Sequence, residues 1–309
     1  MTEEKFHNII IKEKLDEYRQ LKSKKIDVID GKLFDTIVKN GGYKHYYRLA
    51  QLIIRHLKIK HGYQRYINKL LDSNYDDKTI YEKIKKHGQT KPQNIYRDIM
   101  HVQILFREFY VDKFIKEYPN FKPSRYLDIG CGNGNIGKLF GKKLNINDNN
   151  IFCTELKAWH GKERKLSEFA INNVRLVDDF DKLPYQDNHF DIITALMVLH
   201  HVKDVDKMLK EISRVLRKGG ILIIREHDSF TMLDYILNEI EHGLYEIIHE
   251  NQSYEDFKKD YYAKYHDWLE WDVILSKYGF KYFYANYDST SIVWDVSPTR
   301  YYYAIYMKN

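Results

Sequence analysis

Residues 126–137 read YLDIGCGNGNIG, and this stretch decides the fold. Tyr126, Leu127, Asp128 and Ile129 have strand character and run straight into Gly130, Gly132 and Gly134, with Gly137 one helical turn further on. Glycines at alternate positions let a chain turn sharply at a strand end and let a ligand approach where a Cβ would collide. The stretch therefore reads as a nucleotide-binding turn between a strand and a helix. It is not the dinucleotide fingerprint, because G-x-G-x-x-G requires glycine at 135 and the chain has Asn135.

Downstream, strands alternate with helices: a helix over 136–144, NIFCTEL, a helix near 165–171, NVRLVDD, FDIITALMVL, a helix over 205–216, and ILIIREH. Such alternation implies right-handed crossovers and a mostly parallel sheet. A long helical excursion follows at about 229–270. FKYFYANY and TRYYYAIYM then read as two strands, so that the sheet ends antiparallel.

Upstream, Leu49, Leu52, Ile53 and Leu57, then Ile95, Ile99, Val102, Leu105 and Phe109, recur at helical spacing, broken at Gly41-Gly42, Gly62 and Gly88. Pro119 and Pro123 end this run. The expected organisation is an all-helical domain over 1–120 and an α/β domain over 121–309.

The 309 residues carry a formal charge of +6, and the excess lies in the first 120 residues, with 25 Lys and Arg against 16 Asp and Glu. Tyrosines interleave with basic residues at Tyr43, Lys44, Tyr46, Tyr47 and Arg48, then at Arg55, Lys58, Lys60, Tyr63 and Arg65; a further basic run includes Lys83, Lys85 and Lys86. Tyrosine faces can stack on bases while Lys and Arg meet phosphates, so RNA is one reading. A solvated helix face, in a chain biased toward Lys, Ile, Asn and Tyr, is the other. MTEEKFHNIIIKEK is charged throughout, unlike a secretory leader, and no apolar run reaches membrane-spanning length. Two cysteines, Cys131 and Cys153, make no disulfide framework in a chain of this length. A cytoplasmic, reducing location is expected.

Glu155 closes the strand IFCTEL, where a carboxylate can accept both hydroxyls of a ribose. With Asp128 ahead of the first glycine, the turn is D-x-G-x-G-x-G and resembles motif I of the class I S-adenosylmethionine-dependent methyltransferases. LVDDFDKLPYQDNHFDIITALMVLHHV (176–202) and RVLRKGGILII (214–224) resemble the UbiE-like, type 11 branch of that family, with Lys218 in place of its usual proline. The likeness covers about residues 124–228.

The resemblance implies a Rossmann-like, seven-stranded, mostly parallel sheet with an antiparallel last strand, binding S-adenosylmethionine. It places Asp128 at the methionine amino group, Gly130, Gly132 and Gly134 under the cofactor, Glu155 on the ribose, and Asp179 and Phe180 at the adenine. Leu196 to His200 would pass beside the methionine tail and the transferable methyl. The D-P-P-Y string of similar DNA amino-methyltransferases is absent, its place being taken by TALM.

Methyl transfer is an in-line displacement, so the enzyme aligns the nucleophile and excludes water, adding a base where the nucleophile is protonated. Candidates at the carboxyl edge of the sheet are His200, His201, Glu226, His227 and Asp228, with His227 first because flanking acids would raise its pKa. No metal is expected: three consecutive residues, Glu226 to Asp228, cannot converge on one ion, and H-E-x-x-H is absent. Expected is a methyltransferase acting on an O or N nucleophile of a small metabolite. An RNA methyltransferase and a catalytically silent cofactor-binding subunit stay open, with a hydride-transferring dehydrogenase as the weaker rival.

Overall fold

The computed structural model describes residues 69–70, 73–89, 116, 118–159, 162–230, 234–235, 238, 242, 253–287 and 301–309. The tyrosine- and lysine-rich stretch at 43–65, and most of the expected helical domain, lie outside the described residues.

Seven strands form one sheet. β1 (Tyr126–Ile129), β2 (Ile151–Leu156), β5 (Asn173–Val177), β6 (Phe190–Leu196), β7 (Leu216–His227), β8 (Phe280–Tyr287) and β9 (Tyr301–Lys308) lie in the order β5-β2-β1-β6-β7-β9-β8. The pairs β1–β2, β1–β6, β2–β5 and β6–β7 are parallel, whereas β9 is antiparallel to both β7 and β8. This is the sheet expected from the sequence, antiparallel strand included.

The strand order reverses at β1, with β2 on one side and β6 on the other, so the carboxyl end of β1 lies at a topological switch point, where open α/β sheets bind ligands.

Both faces of the sheet are covered, which is why its strands are near-continuous apolar runs rather than alternating ones. Leu127, Ile193, Leu222, Ile224 and Tyr306 face a core shared with Met208, Leu209 and Ile212 of α3 (Val205–Val215) and with Trp271 and Leu275 of α5 (Trp268–Ser276). Tyr126, Ile192, Ile221, Ile223 and Ile305 face the other core, with Phe140 of α2 (Asn135–Lys143). Asp204 caps α3, and Asp267 with Glu270 forms a capping box on α5.

The expected helix near 165–171 is replaced. β3 (Ala158–Trp159) and β4 (Lys162–Glu163) pair as a small antiparallel hairpin, and a single 3-10 turn follows at Leu166–Glu168. Arg164 explains the local geometry: Nη2 donates to the Gly132 carbonyl at 2.8 Å, and Nε pairs with Glu168 at 3.2 Å. Those bonds tie the segment to the glycine turn instead of leaving it free to coil.

The excursion after β7 is helical only in part. α4 (Tyr254–Asp260) is followed by a non-helical stretch, 261–267, before α5 begins. α1 (Asp77–Gln89) packs on α4, with the Tyr81 ring 5.5 Å from Tyr254 and 5.4 Å from Phe257. Tyr81 and Ile84 are buried there, so this stretch of the basic run is carried on a packed amphipathic helix. Among the described residues, no helix is long and apolar enough to cross a membrane.

Cys131 and Cys153 are disulfide-bonded, their Cα atoms 5.9 Å apart, contrary to the expectation of two unpaired thiols. The reason is tertiary. Asp128 pairs in register with Cys153 on adjacent parallel strands, and the turn after β1 folds Cys131 back over that position.

Candidate active site

The site is built along the carboxyl edge of the sheet. Gly130, Gly132 and Gly134 all have positive φ, at 63°, 59° and 78°. A Cβ on Gly130 would stand 2.5 Å from Val198 Cγ2, so the glycine lets the turn after β6 press against the turn after β1. A Cβ on Gly132 would meet nothing within 4 Å, which leaves open space above the turn for a ligand.

Two buried carboxylates frame that space. Asp128 accepts the Thr194 hydroxyl at 2.6 Å, and Thr194 in turn meets Tyr126 Oη at 2.7 Å. Glu155 accepts the Gly132 amide at 2.7 Å. Burial raises the Glu155 pKa against the opposing pull of the Leu156 and Gly132 amides and of Arg164. Asp179 is exposed beyond β5, where it accepts the Asp181 amide at 2.9 Å, and Phe180 is buried beside it. Leu196 is buried at the end of β6.

The second half of the edge is formed after β6 and β7. Met197 takes φ 63°, a left-handed conformation in a residue other than glycine, and donates its amide to the Arg225 carbonyl at 2.7 Å. That kink turns the amides of Val198 and Leu199 onto Glu226 Oε1, at 3.2 and 2.8 Å. The second oxygen of Glu226, Oε2, meets His200 Nδ1 at 2.5 Å, and His200 Nε2 meets His242 Nε2 at 3.2 Å.

The histidines are enclosed. His200, His227 and Glu226 are fully buried, while Tyr265 stacks over His200 at 5.8 Å and lies edge-on to His227 at 5.4 Å. Chain from the excursion closes the end: Lys264 donates its amide to the His200 carbonyl at 2.8 Å, and His201 Nδ1 lies 3.2 Å from the Tyr262 carbonyl. Asp228 points away from this group and accepts the Trp268 amide.

The expected elevation of the His227 pKa is reversed. Burial first, then the neighbouring His242 and His200, drive it well below its ordinary value, and burial lowers His200 to about 3. Glu226 turns its carboxylate to the 198–200 turn and the His200 ring, making no hydrogen bond to His227. Burial pushes Glu226 itself up to about 8.

The structure thus brings Asp128, the three glycines, Glu155, Leu196, His200, Glu226 and His227 to one edge. His242 was missed, since it lies 42 residues from His200 on an excursion whose sequence carries no motif. The spacing of Asn238 and His242, one helical turn, was the only local signal.

Residues 127–224 match the family model described as a methyltransferase domain. That stretch is a class I S-adenosylmethionine-dependent methyltransferase domain. Its cofactor is S-adenosylmethionine, and the glycine turn with its open space and buried carboxylates fits that cofactor. The methyltransferase domain is 34% identical over 121 residues to the ubiquinone/menaquinone biosynthesis C-methyltransferase UbiE of Rickettsia akari, covering 37% of this chain and 48% of that protein. It is 36% identical over 108 residues to UbiE of Azotobacter vinelandii, covering 33% and 42%. An uncharacterized methyltransferase of Schizosaccharomyces pombe is 32% identical over 142 residues, covering 44% and 49%. The chain spans about half the length of these curated relatives.

Proposed function

We propose that the protein transfers the methyl group of S-adenosylmethionine to an O or N nucleophile of a small molecule. The observation that carries this reading is the closed acceptor end. The turn after β6 abuts the glycine turn through Val198 and Gly130, and the excursion roofs it through Lys264, Tyr262 and Tyr265. A buried end of this kind suits a small acceptor better than a polymer.

In the proposed site, Asp128 holds the methionine amino group, Glu155 the ribose, and Asp179 with the backbone of Phe180 the adenine. Leu196 and the 198–200 turn border the methionine tail. Methyl transfer converts the sulfonium to a thioether as the nucleophile attacks in line, and an O–H or N–H acceptor gives up its proton. His227, kept neutral by burial and with neither ring nitrogen hydrogen-bonded among the described residues, offers a lone pair to take that proton, while His200 is held between Glu226 and His242. Glu226 acts as a positioning residue, holding both the 198–200 turn and the His200 ring.

The C-methyltransferase names of the UbiE relatives support a second reading, methylation at carbon, with the same cofactor site. Labelled S-adenosylmethionine, incubated with the full chain and either a small-molecule or an RNA fraction, tests the proposal. Label on a heteroatom of a small molecule is the expected result. Label on carbon selects the second reading, and label in RNA overturns the acceptor class. Cofactor binding with no transfer to either fraction ends the enzyme reading in favour of a cofactor-binding subunit.

A further inference from the structure

We propose that His200, His227 and His242 hold a divalent cation of zinc-like chemistry at the acceptor end of the domain. One ligand nitrogen from each of the three lies within 4.8 Å of the other two, and His200 and His227 are fully buried.

Hydrogen-bond bookkeeping carries the inference. His242 Nδ1 faces the Asn238 carbonyl at 2.9 Å, and a carbonyl only accepts, so the proton sits on Nδ1 and Nε2 carries a lone pair. His200 Nδ1 faces the Glu226 carboxylate, the arrangement in which an acidic partner orients a metal-bound imidazole through its far nitrogen. With Glu226 ionised and accepting from His200 Nδ1, two lone pairs point at each other across the 3.2 Å between the Nε2 atoms. In a tetrahedral site with metal–nitrogen bonds of about 2.0–2.1 Å, neighbouring ligand nitrogens stand about 3.3 Å apart.

His227 adds the third ligand independently. Both its ring nitrogens are buried with no hydrogen-bond partner among the described residues, in a region where such groups are rare. A proton shared along Glu226, His200 and His242 would satisfy that pair and leave His227 bare. A cation engages all three.

Three neutral imidazoles favour zinc or a similar borderline metal over magnesium or calcium, which prefer oxygen. They also leave a fourth tetrahedral position open, as in catalytic rather than structural zinc sites. Resting on the methyltransferase reading above, the occupant of that position is the acceptor's own heteroatom, a hydroxyl oxygen or an amine nitrogen. Coordination would favour release of its proton to water before the oxygen or nitrogen attacks the methyl group, with the S–CH₃ bond breaking to leave S-adenosylhomocysteine.

The test uses the untagged full chain, stripped with a chelator and dialysed against Zn²⁺ or Co²⁺, with S-adenosylhomocysteine binding measured in parallel. Expected are one metal per chain by elemental analysis and the visible bands of tetrahedral Co²⁺. Retention should be lost in His242→Gln and His227→Gln variants that still melt cooperatively. Glu226→Gln should weaken metal affinity by about 10- to 100-fold. Wild-type protein that binds S-adenosylhomocysteine but takes up no stoichiometric metal overturns the site, as does undiminished retention in both histidine variants. Metal uptake without S-adenosylhomocysteine binding would uphold the site and defeat the methyltransferase reading.

Discussion

Gly132 donates its backbone N–H to Glu155 Oε2 over 2.7 Å, so the carboxylate that ends β2 holds the turn that ends β1. The other oxygen accepts the Leu156 amide at 2.9 Å. Glu155→Ala removes both bonds together with the group proposed to meet the ribose. A hydrogen bond to a charged group contributes about 1.5–3 kcal/mol, so affinity for S-adenosylhomocysteine should fall roughly 10- to 150-fold, read by calorimetry. Unchanged affinity would remove Glu155 from the cofactor site.

Gly130 combines positive φ with a Val198 methyl group 2.5 Å from where its Cβ would stand. Gly130→Ala therefore incurs both the left-handed penalty of about 1–2 kcal/mol and a steric clash. Thermal unfolding should show a loss larger than the backbone penalty alone, and adding Val198→Ala should restore the steric part. If the double variant melts no higher than the single one, the contact between the two turns is not what the glycine serves.

Asp272 on α5 has its pKa raised to about 6 from 3.8 by burial. The folded chain thus holds this proton more tightly than the unfolded chain. Its contribution favours folding below about 3.8 and is lost as the pH rises through about 6. Asp272→Asn should accordingly raise the melting temperature at pH 7.5, by about 2 °C for a discounted gain near 1 kcal/mol. At pH 3.5 the gain should vanish. A variant less stable than wild type at pH 7.5 would show that the carboxylate is stabilised where it lies.

The Cys131–Cys153 disulfide spans 22 residues and joins the glycine turn to β2. Closing a loop of that size restricts the unfolded chain by about 3 kcal/mol. Replacing both cysteines by serine should lower the melting temperature of the oxidised protein by several degrees, and a reductant should bring wild type toward the variant. Mass spectrometry of the non-reduced digest should find the two cysteine peptides linked. Two free thiols there would refute the pairing.

The α/β architecture was legible in YLDIGCGNGNIG, IFCTEL and LVDDFDKLPY, which also carry the residues proposed to hold the cofactor, because a glycine turn, a strand-end acid and near-continuous apolar runs are local demands of the backbone. The 165–171 segment was misread for want of a tertiary fact: Arg164 reaches the Gly132 carbonyl, and no periodicity reports such a bond.

The acceptor half was beyond local reading. Sequence placed His200, Glu226 and His227 at one sheet edge, since β6 and β7 end there. Their protonation followed from burial under chain supplied by the excursion, which reversed the pKa direction that the flanking acids had suggested for His227. His242 entered only through tertiary packing, which brings a helical turn 42 residues distant against His200. By itself the sequence determined the sheet and its cofactor, since both depend on short-range backbone geometry. Only the tertiary structure decided which buried groups converge beside the turn after β6, since desolvation and side-chain convergence depend on which distant segments meet.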